Sequence, residues 1–184
     1  RSVAGVSIDP ETNRMLVGST LNSDPPAHDL TRAITFRPLT PKALTAVRDR
    51  IRTAAEEIVD RVVEQGRFDA SRDLAPHIPL TVVRDLVGLG PDGAAKMLDW
   101  AGATFELMGD PRERRASATR TLGEMRRFLD APETRDALTE GGWARAATRD
   151  GIARGMEPDR AIELMRDYIA PSLDTTIAAI GYGI

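Results

Sequence analysis

The sequence contains no cysteine and few aromatic residues, and each shortage excludes a class of protein. Without cysteine, these residues form no disulfide framework, zinc–thiolate site or thiol nucleophile. Aromatic residues make up 4% of the chain, which leaves few rings on which the bases of a nucleic acid would stack. The net charge of −3 also argues against a nucleic-acid partner, because such proteins are usually basic.

The sequence also lacks a charged-then-apolar secretory start and a membrane-spanning segment. Its one long apolar stretch, at the C-terminus, contains Pro171 and Asp174 and is too short to cross a bilayer. Hydrophobic residues make up 41% and charged residues 29% of the chain, as in ordinary soluble proteins. We therefore expect a soluble cytoplasmic protein. Because alanine and leucine are frequent, its fold is expected to be mainly all-α. Residues 1–184 are expected to form one domain, cut at both ends from a larger molecule.

The most informative stretch is 165–180, which begins as an apolar helix and then departs from the helical pattern. Pro171 has no amide hydrogen to donate inside a helix. Asp174 and Thr175 then interrupt an apolar run, and a buried carboxylate is costly unless it is paired. One interpretation is a functional site in this turn. The other is that two helices meet at Pro171, with Ser172 as the cap of the second one.

A second pair of polar residues, His28 and Arg32, lies one helical turn apart after a helix-start signal at residues 23–26. Both are expected to lie in the early turns of this helix, where its positive end disfavours a cation unless an anion is bound. Arginine matches the geometry of a carboxylate. The alternative is that Arg32 is solvated or pairs with Asp29, and that His28 is an uncharged surface residue.

Proline and glycine divide the remaining sequence into predicted helices. Residues 1–22 have no helical period and are expected to be irregular. Helices are predicted over 40–64, over 74–89, over 94–108 after a turn at 90–93, from about 113 to 129, and around Trp143. We expect His77 to be a loop or core histidine. No P-loop, GxGxxG motif or histidine-rich metal cluster is present.

Three of these helices have a predicted buried side. The first is expected to bury Leu44, Val47, Ile51, Ala55, Ile58, Val62 and Val63. The helix 94–108 is expected to bury Met97, Leu98, Ala101, Phe105 and Met108. The helix that follows is expected to bury Ala118, Leu122, Met125, Phe128 and Leu129.

Four segments, taken in order, resemble the central part of a bacterial-type cytochrome P450, a haem-thiolate monooxygenase. They are residues 24–32 (DPPAHDLTR), 37–41 (RPLTP), 78–88 (IPLTVVRDLVG) and 170–176 (APSLDTT). The resemblance runs from the loop before the C helix to part of the I helix. It implies the helical core of the P450 fold, truncated at both ends, with helices C to I over residues 24–184.

The resemblance also implies roles for individual residues around a haem. His28 and Arg32 fall where the family binds the haem propionates, and Ala170 and Pro171 fall against the cofactor. Asp174 and Thr175 fall on the family's acid–alcohol pair, which guides protons to dioxygen on the distal side of the haem iron.

For the substrate, the resemblance implies contacts from Val6 in the covering loop and from Phe105 and Met108 near the junction of the F and G helices. The implied reaction inserts one oxygen atom from O2 into a small apolar or aromatic substrate. A ferredoxin- or flavin-type donor would supply electrons, and no nucleic acid or membrane takes part.

Three departures qualify the resemblance. Pro171 and Ser172 stand where glycines are common, and Leu39 stands where phenylalanine is usual. The axial cysteine of the family is absent from this chain, so we expect these residues alone to be inactive and to bind haem weakly. No residue of the chain is therefore assigned to the iron.

Two other classes of function stay open from the sequence. One is an all-α ligand-binding or regulatory domain with an apolar pocket, which leaves Pro171 beside Asp174 and Thr175 without a reason. The other is an interaction module that forms a homodimer through helix faces exposed by the truncation.

Overall fold

The computed structural model describes residues 17–108 and 116–183, and helices dominate both ranges. The α-helices are α1 (Ala27–Thr35), α2 (Pro41–Thr45), α3 (Arg48–Gln65), α4 (Arg84–Val87), α5 (Gly90–Met108), α6 (Ala116–Asp130), α7 (Pro132–Ala137), α8 (Trp143–Ala153), α9 (Pro158–Glu163) and α10 (Arg166–Gly183). These two ranges contain no strand. The predicted all-α fold is therefore confirmed.

Helix α5 lies at the centre of the fold and packs against both α6 and α10. The indole of Trp100 on α5 is fully buried and meets the ring of Phe128 on α6, with 5.2 Å between the ring centroids. On the other side of the core, Trp143 at the start of α8 meets Tyr168 on α10 at 5.4 Å. The Tyr168 hydroxyl donates to the Thr35 carbonyl at 3.0 Å. These contacts tie α10, the helix of the candidate site, to α1 and α8.

The predicted interior of α6 is confirmed with one exception. Its buried residues are Ala118, Leu122, Met125 and Leu129, while Phe128 is only partly buried against the core. The helix predicted around Trp143 is also present as α8 and ends two residues before Gly155. Regular apolar spacing gave the correct inner face of α6, because this amphipathic helix has a single apolar stripe.

The single helix predicted over 40–64 is wrong, because the chain breaks at residues 46–47 between α2 and α3. The predicted stripe is also wrong in part: Leu44 is 43%, Ile51 44% and Val63 70% exposed. The prediction is confirmed at Val47, Ile58 and Val62, and Ala54 is the additional buried residue of α3. Helix α3 carries two apolar stripes at i, i+4 spacing, so spacing alone does not say which stripe faces the core.

The helix predicted over 74–89 is present in shorter form, and the turn predicted over 90–93 is wrong. Residues 77–87 are helical throughout, with a π-helical turn at Pro79–Val83 followed by the short α4. Helix α5 begins at Gly90, and Pro91 occupies its first turn, where the missing amide hydrogen costs nothing. His77 is half-buried near the start of this stretch, and its buried Nε2 atom has no hydrogen-bond partner among the residues that the structure describes.

The interior predicted for α5 is confirmed at Met97 and Ala101 and differs elsewhere. Leu98 is 37% exposed, while Phe105 and Met108 are half-buried. Trp100 and Leu107 fill the core in their place.

Within the described ranges, no helix combines the length and the apolarity needed to cross a bilayer.

Candidate functional site

Helix α10 carries most of the candidate site and runs unbroken through Pro171. The chain does break nearby, at residues 164–165 between α9 and α10, and the alternative in which two helices meet at Pro171 with Ser172 as a cap is wrong. A proline inside a helix removes one hydrogen bond and costs about 3 kcal/mol. The buried residues on either side of it, Tyr168, Ile169, Ala170 and Leu173, supply the packing that holds the helix together.

The first cavity of the site, called here the apolar cavity, lies between α5, α6 and α10. Its volume is about 250 Å³, and its lining includes Phe105, Met108, Ala170, Pro171 and Thr175. The structure thus brings together five residues that the sequence assigned to substrate, cofactor or catalysis. Val6, the third predicted substrate contact, lies outside the described residues.

The second cavity, called here the basic cavity, lies between α1 and α10. Its volume is about 490 Å³, and its lining includes His28, Arg32, Tyr168 and Pro171. Pro171 lines both cavities. The two predicted anion-binding residues therefore share a cavity with Pro171, one helical turn before Thr175, although they come from the opposite end of the chain.

The electrostatics of α1 differ from the sequence expectation. Because α1 ends at Thr35, Arg32 lies in its last turn, where the helix dipole favours a cation. The argument that Arg32 is misplaced at a positive helix end is therefore wrong. Asp29 pairs with His28 rather than with Arg32, with 3.2 Å between Nδ1 and Oδ1.

Arg32 forms no ion pair with any of the described residues. Its guanidinium lies instead over the ring of Phe36, 4.3 Å from the ring centroid. A cation–π contact of this kind orients the guanidinium without neutralising it. Arg32 and His28 thus present hydrogen-bond donors to the basic cavity, and a carboxylate is the chemical group that such donors fit.

Only one member of the predicted acid–alcohol pair lines a cavity. The Thr175 hydroxyl donates to the Pro171 carbonyl at 2.7 Å, and Thr175 lines the apolar cavity. Asp174 is half-buried and lines neither the apolar nor the basic cavity. The roles assigned to these two residues stay predictions.

Sequence reasoning missed Asp167, which lines both cavities. Its Oδ2 atom accepts hydrogen bonds from the backbone N–H of Thr20 at 3.0 Å and from the Thr20 hydroxyl at 2.5 Å. Burial raises the pKa of Asp167, while the bonds from Thr20 and the charge of Arg166 act in the opposite direction. The signal in the sequence was the charged pair at 166–167, which directly follows the apolar run Leu164–Met165.

Replacing Thr20 with valine is expected to lower the free energy of unfolding by about 1–2 kcal/mol. The substitution removes the hydroxyl donor to Asp167 but keeps the backbone one, and hydrogen bonds to charged groups contribute about 1.5–3 kcal/mol when fully buried. Chemical denaturation followed by circular dichroism measures the change.

A matched control is Thr45→Val, because the Thr45 hydroxyl bonds to the Pro41 carbonyl on an exposed face. That variant is expected to change stability by less than about 0.5 kcal/mol. Equal effects of the two substitutions would contradict a structural role for the Thr20–Asp167 contact.

Comparisons with known proteins identify the family. Cytochrome p450 CYP199A2 of Rhodopseudomonas palustris is 32% identical over 165 residues, which are 89% of this chain and 40% of that protein. The crystal structure of P450BioI in complex with hexadec-9Z-enoic acid ligated acyl carrier protein superposes with a TM-score of 0.76 over 91% of this chain, at 13% identity. The chain has the sequence and the fold of a cytochrome P450 segment.

A further P450 structure agrees with this assignment. Mycobacterium marinum cytochrome P450 CYP268A2 in complex with pseudoionone superposes with a TM-score of 0.74, at 22% identity, over 96% of this chain and 44% of that one. The P450 segment thus spans less than half the length of these relatives. No protein-family model matches it.

The P450 family implies haem as the cofactor, and the basic cavity fits the acidic edge of that group. The fit rests on Arg32, whose guanidinium has no anionic partner among the described residues, and on His28 beside it. These residues would hold the two propionates. The P450 segment contains no cysteine, so its residues fit the propionate edge of haem and not the thiolate ligation of its iron.

Proposed function

We propose that this chain forms the distal wall of a haem monooxygenase. The observation that carries the proposal is the placement of Pro171 on both cavities. One turn of α10 thus separates a space with basic residues, suited to haem propionates, from an apolar space suited to an organic substrate. Such an arrangement places a substrate next to the cofactor, which is what an oxygen-transfer reaction requires.

The proposed chemistry divides between the cofactor and the chain. Haem, when bound with a thiolate supplied from outside these residues, provides the activation of O2. His28 and Arg32 bind and orient the cofactor through its propionates. Thr175 holds a proton at its Oγ1 atom on the edge of the apolar cavity, and Asp174 on the adjoining position supplies protons to that hydroxyl. The apolar lining from Phe105 and Met108 excludes water from the substrate.

The proposed reaction inserts one oxygen atom from O2 into a C–H bond of a small apolar or aromatic substrate. A ferredoxin- or flavin-type protein would deliver the electrons singly, and the cytoplasm is the proposed location. The 184 residues alone are expected to be inactive, because the thiolate is not among them. The relatives give no support to the homodimer that the sequence suggested, and the proposal does not require it.

The decisive experiment is a difference spectrum of the protein that contains this chain together with a cysteine-bearing haem-binding region. The protein is reduced, carbon monoxide is added, and the absorbance of the haem is recorded. A thiolate-type band is the expected result. A haem spectrum without that band would refute the assignment of a P450 monooxygenase.

Replacing Thr175 with alanine is expected to uncouple electron consumption from product formation. Positioned proton donors contribute about 10²- to 10⁴-fold to catalysis, so we expect product formed per electron consumed to fall about ten-fold or more. Haem content should not change, because Thr175 does not line the basic cavity. Product yield and NAD(P)H consumption, measured together, report the ratio.

The neighbouring Thr176 provides the matched control, because it is exposed like Thr175 but does not line the apolar cavity. Thr176→Ala should leave the ratio unchanged, and Thr175→Ser should restore most of it by retaining the hydroxyl. Unchanged coupling in Thr175→Ala would remove Thr175 from the proposed proton path.

A further inference from the structure

Helix α3 packs on the rest of the fold through a small apolar cluster of its own. Three of its 18 residues are buried. The cluster consists of Val47, Ala54 and Val82, with Ile78 and Leu86 packed against it. The main core around α5 includes none of the residues of α3, all of which the structure describes. The contact between α3 and the helical segment 77–87 therefore depends on few buried side chains.

His77 is the first residue of the helical segment 77–87 and directly precedes Ile78, which packs against this cluster. Its Nε2 atom is buried and has no hydrogen-bond partner among the described residues. A protonated imidazole donates from both of its ring nitrogens. Protonation would therefore bury a charged N–H group without an acceptor, which is far less favourable than burying the neutral ring.

The charges around His77 also act mainly against its protonation. Burial is the largest cause that lowers the pKa of His77, and the positive charge of Arg61 lowers it further, while the negative charge of Glu57 raises it. Arg61 and Glu57 lie one helical turn apart on α3, and both are exposed. The start of a helix is in addition a position where the backbone dipoles disfavour a cation.

Several other charged residues on the elements packed against this segment are paired with one another. The pairs are Arg50–Asp85 at 3.1 Å, Arg84–Asp85 at 3.6 Å and Arg72–Asp73 at 3.2 Å. Helix α10 also packs against Pro79–Val83 and carries Asp174. The charges that shift the pKa of His77 are those of Arg61 and Glu57, and not that of Asp174.

We propose that His77 is an acid-sensitive switch in the contact between α3 and the helical segment 77–87. The neutral ring permits the contact, and protonation of the ring releases α3 from the segment. Because Pro79–Val83 also packs against α10, the contact that is released lies next to the helix of the candidate site. The switch does not depend on the reaction that the protein catalyses.

The direction of the pH dependence follows from the lowered pKa. With α3 released, His77 titrates near the ordinary pKa of 6.5, and with α3 in place it titrates below that value. Above pH 6.5 the ring is neutral in both states, and the contact has its full stability. As the pH falls below 6.5, the released state takes up a proton first, so the contact becomes weaker.

The test is hydrogen exchange of the α3 amides, measured by mass spectrometry on the haem-loaded protein that contains this chain. Exchange is recorded at pH 7.5 and pH 5.5 in low salt and is corrected for the intrinsic effect of pH on exchange. At one pH unit below 6.5, the largest possible loss of protection from one histidine is about ten-fold. We expect a loss of about three-fold or more in α3 and a smaller one in α5, which lies in the main core.

Three variants assign the loss to His77. His77→Phe keeps a ring that does not titrate and is expected to abolish the loss of protection. Glu57→Gln and Arg61→Gln are a matched pair of substitutions at exposed positions of the same helix. Glu57→Gln is expected to increase the loss, because it removes the charge that favours protonation, and Arg61→Gln is expected to decrease it.

Three results would overturn the switch. One is protection of α3 that is equal at the two pH values in the unaltered protein. The second is a loss in a folded His77→Phe protein as large as in the unaltered one. If His77→Phe fails to fold, equal losses in Glu57→Gln and Arg61→Gln would overturn the proposal instead, because a purely structural effect does not depend on the sign of the charge that is removed.

Discussion

Replacing Arg32 with alanine is expected to weaken haem binding by about ten- to one-hundred-fold. Hydrogen bonds between charged groups contribute about 1.5–3 kcal/mol, and a bidentate guanidinium–carboxylate pair is among the stronger ones. The guanidinium is already oriented over Phe36, so little conformational freedom is lost when a propionate binds. Titration of haem into the cofactor-free protein, followed by absorbance, measures the dissociation constant.

Two further variants make this result specific to the basic cavity. Arg37→Ala removes a side chain of the same type that is 68% exposed and faces Asp150 rather than the cavity, so haem affinity should change less than about three-fold, as for other surface ion pairs. Arg32→Lys keeps the charge but loses the fork geometry and should give an intermediate affinity. Haem retention that is unaltered in Arg32→Ala would exclude a propionate-binding role for this residue.

Replacing Trp100 with alanine is expected to lower the free energy of unfolding by about 3–5 kcal/mol. The indole is fully buried on α5 and packs against Phe128, so the substitution removes apolar contacts and leaves a cavity between α5 and α6. A domain of this size has a free energy of unfolding of only about 5–15 kcal/mol. We therefore expect the variant to unfold at a lower temperature than the unaltered protein. Thermal and urea unfolding, followed by circular dichroism, measure the loss.

Leu98 on the same helix supplies the comparison. It is 37% exposed, so Leu98→Ala should cost less than about 1 kcal/mol, because more than a third of its surface already contacts water. A Trp100→Ala protein as stable as Leu98→Ala would mean that α5 does not form the centre of the core. If such a stable Trp100→Ala protein failed to bind ligands, unfolding would not be the cause.

The helical class and the family were predictable from the sequence, because both depend on patterns that lie within single segments. The motifs at residues 24–32 and 170–176 placed His28, Arg32, Pro171 and Thr175 in one site, and the structure brings these four residues to adjoining cavities. Such motifs are recognised from the sequence without information on how the helices pack. The roles of the four residues are a separate matter, which the proposed experiments address.

The buried face of each helix and the points where helices break were less predictable. Helix α3 has apolar residues along two neighbouring lines of its surface, and only the surrounding structure selects the line with Ala54, Ile58 and Val62 as the buried one. The unbroken course of α10 through Pro171 has a similar cause. Local chemistry favours a break there, and the buried contacts of Tyr168 and Leu173 override it.

The positions of Asp174 and Asp167 in the candidate site were also not predictable from local sequence patterns. Adjacent residues on an α-helix point about 100° apart, so Asp174 does not follow Thr175 into the apolar cavity. Asp167 received no predicted role from the sequence. Its contact with Thr20 joins positions 147 residues apart, and no local pattern in the sequence reports such a contact.

The position of Asp167 on the wall between the two cavities has a thermodynamic consequence. A molecule on either side of that wall meets the same carboxylate, so each molecule alters the electrostatic potential in which the other one binds. Linkage makes such an effect reciprocal. Whatever factor a ligand in the apolar cavity contributes to retention of the cofactor, the cofactor contributes the same factor to retention of that ligand.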